Sequence, residues 1–76
     1  MSEQEWIDIF GDNLYEMLYE QGMSQNDLAE ETGLDKATIS RYISKKQMPS
    51  VKAVIAISYA LNCKVDDLID FGDIIR

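Results

Sequence analysis

Lys36, Arg41, Lys45, Lys46 and Lys52 are five of the seven basic residues in this 76-residue chain, and no acid stands between the first and the last of them. Ammonium and guanidinium groups at that density bind phosphate, and a guanidinium offers two parallel donors that match the edge of a guanine. The rest of the chain opposes such a partner. Ten acids and no base precede Lys36, four acids follow Lys52, and the formal net charge is −7. A net anion repels a polyanion. A nucleic-acid surface here therefore has to be local, one positive patch on an acidic body. Charges also cluster on ordinary solvated faces, so the window takes its meaning from the fold around it.

Other chemistries are excluded more simply. Histidine is absent and Cys63 is the single cysteine. That removes an intrachain disulfide, a cysteine/histidine zinc site and any histidine base. The neighbouring carboxylates Glu30-Glu31 and Asp66-Asp67 diverge on a helix and make neither an acid/base pair nor a metal site. No catalytic constellation remains, so an enzyme is not expected, nor any cofactor or metal. Cys63 reads as a small buried hydrophobe. Trp6, Tyr15, Tyr19, Tyr42 and Tyr59 are dispersed, which suits core or semi-exposed packing better than base stacking. Tyr42 is the exception, with a hydroxyl that could reach a phosphate. Apolar runs are only a few residues long, and the first residues are acidic rather than basic. No membrane span or secretory signal is therefore expected, and a cytoplasmic protein is. The apolar share of 46% and the charged share of 28% suit one globular domain over residues 1–76.

The elements that must hold the basic window are helices. Ile7, Phe10, Leu14, Met17 and Leu18 recur at helical steps, and Gly22 follows where a helix can end in the left-handed region. Ser24 opens a second helix, with Asp27 in capping-box position and Leu28 and Ala29 inward. Gly33 ends it. Asp35 is the expected N-cap of a third helix from Lys36 to Ser44, anchored by Leu34, Ile39 and Ile43. Met48-Pro49 breaks the chain. Ser50 caps a fourth helix whose apolar stripe is Val51, Val54, Ile55, Ile57 and Leu61, and Asn62 tolerates the turn after it. A short fifth helix is expected from Val65 to Ile69 or beyond, with Leu68 inward. No segment alternates as a strand does. The expected fold is all-α, a compact bundle of four to five short helices.

Two short helices joined through Gly33, over about residues 24–44, match a helix-turn-helix, whose second helix enters the DNA major groove. The outer face of that helix must carry small or hydrogen-bonding groups, and Lys36, Ala37, Thr38, Ser40 and Arg41 meet that demand. The same helix carries the basic window, so geometry and charge select one surface.

The chain resembles the Cro/C1-type helix-turn-helix regulators, the lambda-repressor-like or XRE family. The residues that carry the resemblance are Phe10-Gly11 and Leu14, Gly22-Met23-Ser24-Gln25, Leu28-Ala29 and Thr32-Gly33-Leu34. They continue with Ala37-Thr38-Ile39-Ser40-Arg41-Tyr42, Pro49-Ser50, Ile57, Ala60-Leu61 and Asp66-Asp67-Leu68. The resemblance implies a role for each site residue. Gln25 bonds a DNA phosphate. Lys36, Ala37 and Arg41 read bases in double-stranded DNA, with Thr38 and Ser40 as helpers. Lys46 meets the backbone, assisted by Lys45. It also implies a homodimer, at least on DNA, bound to a near-palindromic operator with half-sites ~34 Å apart.

Departures from the family pattern carry information. Many members pair an arginine late in helix one with a glutamate near the end of the recognition helix. Leu18 and Ile43 stand there in this chain, so the contact is expected to survive as an apolar one. Lys45 replaces a glycine common in the turn after the recognition helix, which implies a longer helix or a strained turn. Helix one carries no base. The tail, about residues 70–76, is apolar and is expected either to fold back near Trp6 or to build a dimer contact. The function expected is a transcription regulator, most often a repressor acting by promoter occupancy, Cro-like and from a phage, mobile element or bacterial genome. No sensing domain is expected within 76 residues. The alternative is a protein-binding module, an antitoxin or antirepressor, that docks a basic protein partner on the acidic face of helices one and two.

Overall fold

The chain winds into α1 (Glu3–Gln21), α2 (Gln25–Thr32), α3 (Lys36–Ile43), α4 (Val51–Ala60) and α5 (Val65–Leu68). These come from a computed structural model that describes residues 2–69. Among the described residues there is no strand. The all-α bundle expected from the sequence is thus the architecture found. The tail at 70–76 lies outside the described residues.

Local chemistry sets the helix starts. Ser2, Ser24 and Ser50 each accept a hydrogen bond from the backbone N–H three residues on, at 3.3, 3.0 and 3.0 Å. Each bond satisfies one of the donors a helix leaves free at its N-terminus. At Ser24 the box is complete, because its own N–H donates to Asp27 Oδ2 at 3.1 Å. Ser2 caps α1 at Glu3, ahead of Ile7, the first apolar residue of the stripe, so the cap and not the periodicity marks that start. Asp35 does occupy the N-cap of α3, but its side chain makes no cap bond.

Phe10, Leu14, Leu28, Ile39, Ile57, Leu61 and Leu68 are fully buried, so every helix contributes to one core. Each such side chain stabilises the fold by about 1.5–3 kcal/mol relative to exposure. Two amides tie the later helices to α1. Asn13 Nδ2 donates to Leu68 O at 2.7 Å and Gln21 Nε2 to Leu61 O at 2.8 Å. Two expectations need correction. α5 stops at Leu68, and the buried Ile69 is extended with ψ 111°. Val51, at 77% exposure, and Ile55 are outside the core. They lie one turn apart on a flank of α4 and line an apolar groove of about 450 Å³ with Trp6, Met48, Val65 and Ile69.

Candidate nucleic-acid interface

The turn between α2 and α3 is held by its own residues. Thr32 Oγ1 donates to Leu28 O at 2.8 Å and accepts the Leu34 N–H at 3.2 Å. Gly33 takes φ 76° and donates its N–H to Ala29 O at 2.9 Å. A Cβ at Gly33 would meet nothing within 4 Å. Glycine is therefore required there by the left-handed backbone and not by crowding. Asp35 O then accepts the N–H groups of Thr38 and Ile39 at 3.0 and 3.1 Å, and α3 begins.

α3 is anchored from behind. Ile39 and Tyr42 are buried, and Leu34 and Ile43 pack against the core at its edge. Phe10 meets Tyr42 edge-on, with ring centroids 5.6 Å apart and planes at 84°, a favoured aromatic geometry. Gly11 lets the backbones of α1 and α3 close, since a Cβ there would stand 2.7 Å from Tyr42 O. Tyr42 is only 3% exposed. Its hydroxyl bonds the Ser50 backbone, while burial holds its pKa above the ordinary phenol value. The expectation that this hydroxyl reaches a phosphate is therefore corrected: Tyr42 is a core residue that joins α3 to the start of α4.

Anchoring on one side leaves the other free. Lys36, Ala37, Ser40 and Arg41 are all exposed, and their positions follow one helical face. Thr38 is half-buried at its edge. The helix ends at Ile43. The Lys46 N–H donates to Arg41 O at 2.9 Å and the Lys45 N–H to Tyr42 O at 3.2 Å. These two bonds close the turn that usually places glycine at its left-handed position, and Lys45 occupies that position with φ 64°. Of the two outcomes open at Lys45, the left-handed turn is the one adopted. Lys46 is exposed. Lys45 is engaged: its Nζ lies 2.6 Å from Asp12 Oδ1 on α1, and that carboxylate raises the lysine's pKa.

Gln25, the first residue of α2, is half-buried. It lines a cleft of about 250 Å³ with Ser24, Met23, Tyr15, Leu18, Tyr19 and Ile43. Leu18 and Ile43 thus share one surface as expected for an apolar contact, with Leu18 buried and Ile43 half-exposed. Tyr15 and Tyr19, for which core or semi-exposed packing was expected, stand at the exposed end of that range, 61% and 80% open beside Gln25. Each stands one residue past a core position of α1, about 100° round the helix, and that offset was readable from the stripe. Asp12 is a neighbour of the site that sequence reasoning missed. No local signal connects it with Lys45.

The sequence matches the family model HTH_3, described as helix-turn-helix, over residues 14–68. Similar solved structures include the restriction-modification controller protein C.AhdI from Aeromonas hydrophila. It is 25% identical with a TM-score of 0.79, over 83% of this chain and 96% of that one. An HTH_3 family transcriptional regulator from Vibrio cholerae is 15% identical with a TM-score of 0.87, over 97% of this chain and 42% of that one. The hypothetical transcription factor NHTF from Neisseria is 20% identical with a TM-score of 0.80, over 100% of this chain and 91% of that one. The last two show likeness of fold alone. No curated protein sequence matches this one.

Proposed function

This chain belongs to the HTH_3 family of helix-turn-helix proteins of Cro/C1 type, a family of DNA-binding regulators, and we propose that it represses transcription by occupying promoter DNA as a homodimer. The observation that carries the reading is the two-sidedness of α3. Ile39 and Tyr42 are buried behind it, while Lys36, Ala37, Ser40 and Arg41 are exposed in front. In the proposed complex Arg41 bonds guanine O6 and N7, Lys36 and Ala37 meet neighbouring bases, and Thr38 and Ser40 assist from the edges. Gln25 and Lys46 position the domain on phosphates, which carry no sequence information. Lys45 joins them once it leaves Asp12. Residues 1–76 act as one DNA-binding domain, in the cytoplasm.

Dimerisation doubles a small set of phosphate contacts on a protein of net charge −7. The apolar groove bordered by exposed Val51 and Ile55 supports a second copy as its cover. A second reading rests on the exposed acids of α1 and α2, Glu16, Glu20, Asp27, Glu30 and Glu31. They suit a basic protein partner.

Selection from a random duplex pool at low salt, with Arg41→Ala run in parallel, tests the reading. Wild type should enrich a near-palindromic site with half-sites ~34 Å apart. Arg41→Ala should bind it about 5- to 150-fold more weakly and relax the sequence at one position, with an unchanged melting temperature. Absence of enrichment by wild type would overturn the DNA reading and favour the acidic face.

A further inference from the structure

The basic window meets an acid across the fold. Lys45 Nζ lies 2.6 Å from Asp12 Oδ1, with both side chains open to solvent. Asp8, one turn earlier on α1, adds a second negative charge near the same ammonium. Backbone geometry fixes this meeting. A Cβ on Gly11 would stand 3.0 Å from Lys45 Cγ, so α1 runs directly against the turn. The Lys45 carbonyl accepts from Gln4 Nε2 at 3.4 Å, and Gln4 Nε2 also reaches Asp8 Oδ1 at 2.9 Å. The turn after α3 is therefore fastened to an acidic stretch of α1, and its ammonium has a carboxylate partner before any DNA arrives.

We propose that Asp12 is an internal competitor for the DNA backbone: it holds Lys45 in an ion pair that a phosphate must displace, and so limits affinity and salt dependence. The inference rests on the DNA-binding reading above. Two physical effects combine. An exposed pair is weak and exchangeable, so Lys45 can transfer to phosphate, a good charge-assisted acceptor. The transfer replaces one favourable contact by another instead of adding one, and it leaves Asp12 and Asp8 facing the negative duplex. In addition, a lysine already neutralised by its own protein displaces fewer counterions from DNA. The outcome is a site that carries its cations yet binds below their full strength, with Asp12 setting the discount.

The test is an operator titration over a range of salt with four proteins: wild type, Asp12→Asn, Lys45→Gln and the double variant. The selected duplex is the probe. Asp12→Asn should raise affinity roughly threefold to tenfold at low salt and steepen the log–log salt slope by about one. Lys45→Gln should bind no better than wild type, and the double variant should match Lys45→Gln within about twofold. Melting curves must show the same fold throughout, as the exposure of both side chains leads one to expect. Unchanged affinity and slope in Asp12→Asn would overturn the proposal, because Lys45 would then play no part on DNA. An equal gain in the Lys45→Gln background would overturn it too, leaving only long-range repulsion. A loss of affinity would assign the pair to seating α3. A wild type that binds no duplex, in contrast to one that binds but ignores Asp12→Asn, would bring down the DNA reading itself.

Discussion

α1 and α3 press against each other at Gly11 and Tyr42, yet they are built on opposite plans. α1 is long and buries a full stripe, Ile7, Phe10, Leu14 and Leu18, while its solvent face is acidic with no base. α3 has eight residues, buries Ile39 and Tyr42, and turns Lys36, Ser40 and Arg41 outward. The long helix supplies burial and the short one supplies chemistry. An isolated eight-residue helix is unstable in water, so α3 keeps its shape only through what lies behind it. The contrast also holds in charge: the body that supports the positive face is itself negative, and the two signs meet at Asp12 and Lys45.

The support is broken most directly at Gly11. A Cβ there would press on Tyr42 O, a backbone atom that cannot swing aside. Gly11→Val should force the two helices apart and cost about 2–3 kcal/mol, read by thermal or urea unfolding. DNA affinity should fall with it. An unchanged midpoint would mean that α3 does not depend on α1 in this way.

Ile43→Glu sharpens the comparison at the other end of the same contact. Leu18 and Ile43 take the place of an ion pair common in the family and line one cleft. A lone glutamate beside Leu18 has no cation to meet. Ile43 is half-exposed, so the carboxylate can turn to water, and the cost should be about 1–2 kcal/mol rather than that of a buried charge. Adding Leu18→Arg should recover most of the loss. A double variant no better than the single one would show that the cleft cannot seat the pair.

What the sequence made legible here was decided within a few residues. The Ser24–Asp27 box, the Ser50 cap and the Gly33 turn all depend on neighbours three or four positions away, and the structure has them. The outward face of α3 was legible because its inward anchors are spaced as one helical side. What failed was settled by distant chain. Val51 and Ile55 are apolar enough for a core, but the stripe of α4 is wider than its neighbours cover. The Tyr42 hydroxyl is open to a phosphate on the sequence alone, and what closes it off is the packing of the whole side chain, 3% exposed, against distant chain. Lys45 looked like one more free cation because Asp12, its partner, lies far away in sequence.

The smallest effect compares two turns that share one backbone conformation. Gly33 and Lys45 follow α2 and α3 with φ 76° and 64°. Gly33→Ala adds a methyl into open space, so it measures the backbone cost alone, about 1 kcal/mol. Lys45→Gly runs the same change in reverse, but it also removes the ion pair to Asp12. Relief of the left-handed strain should therefore be partly cancelled at low salt. At roughly 1 M salt the pair is screened while the dihedral preference is not. The gain in urea midpoint should then emerge, approaching in size the loss seen in Gly33→Ala. A Lys45→Gly protein that is less stable than wild type even at high salt would point instead to the lysine's methylene stem, packed against Gly11, as what holds this turn to α1.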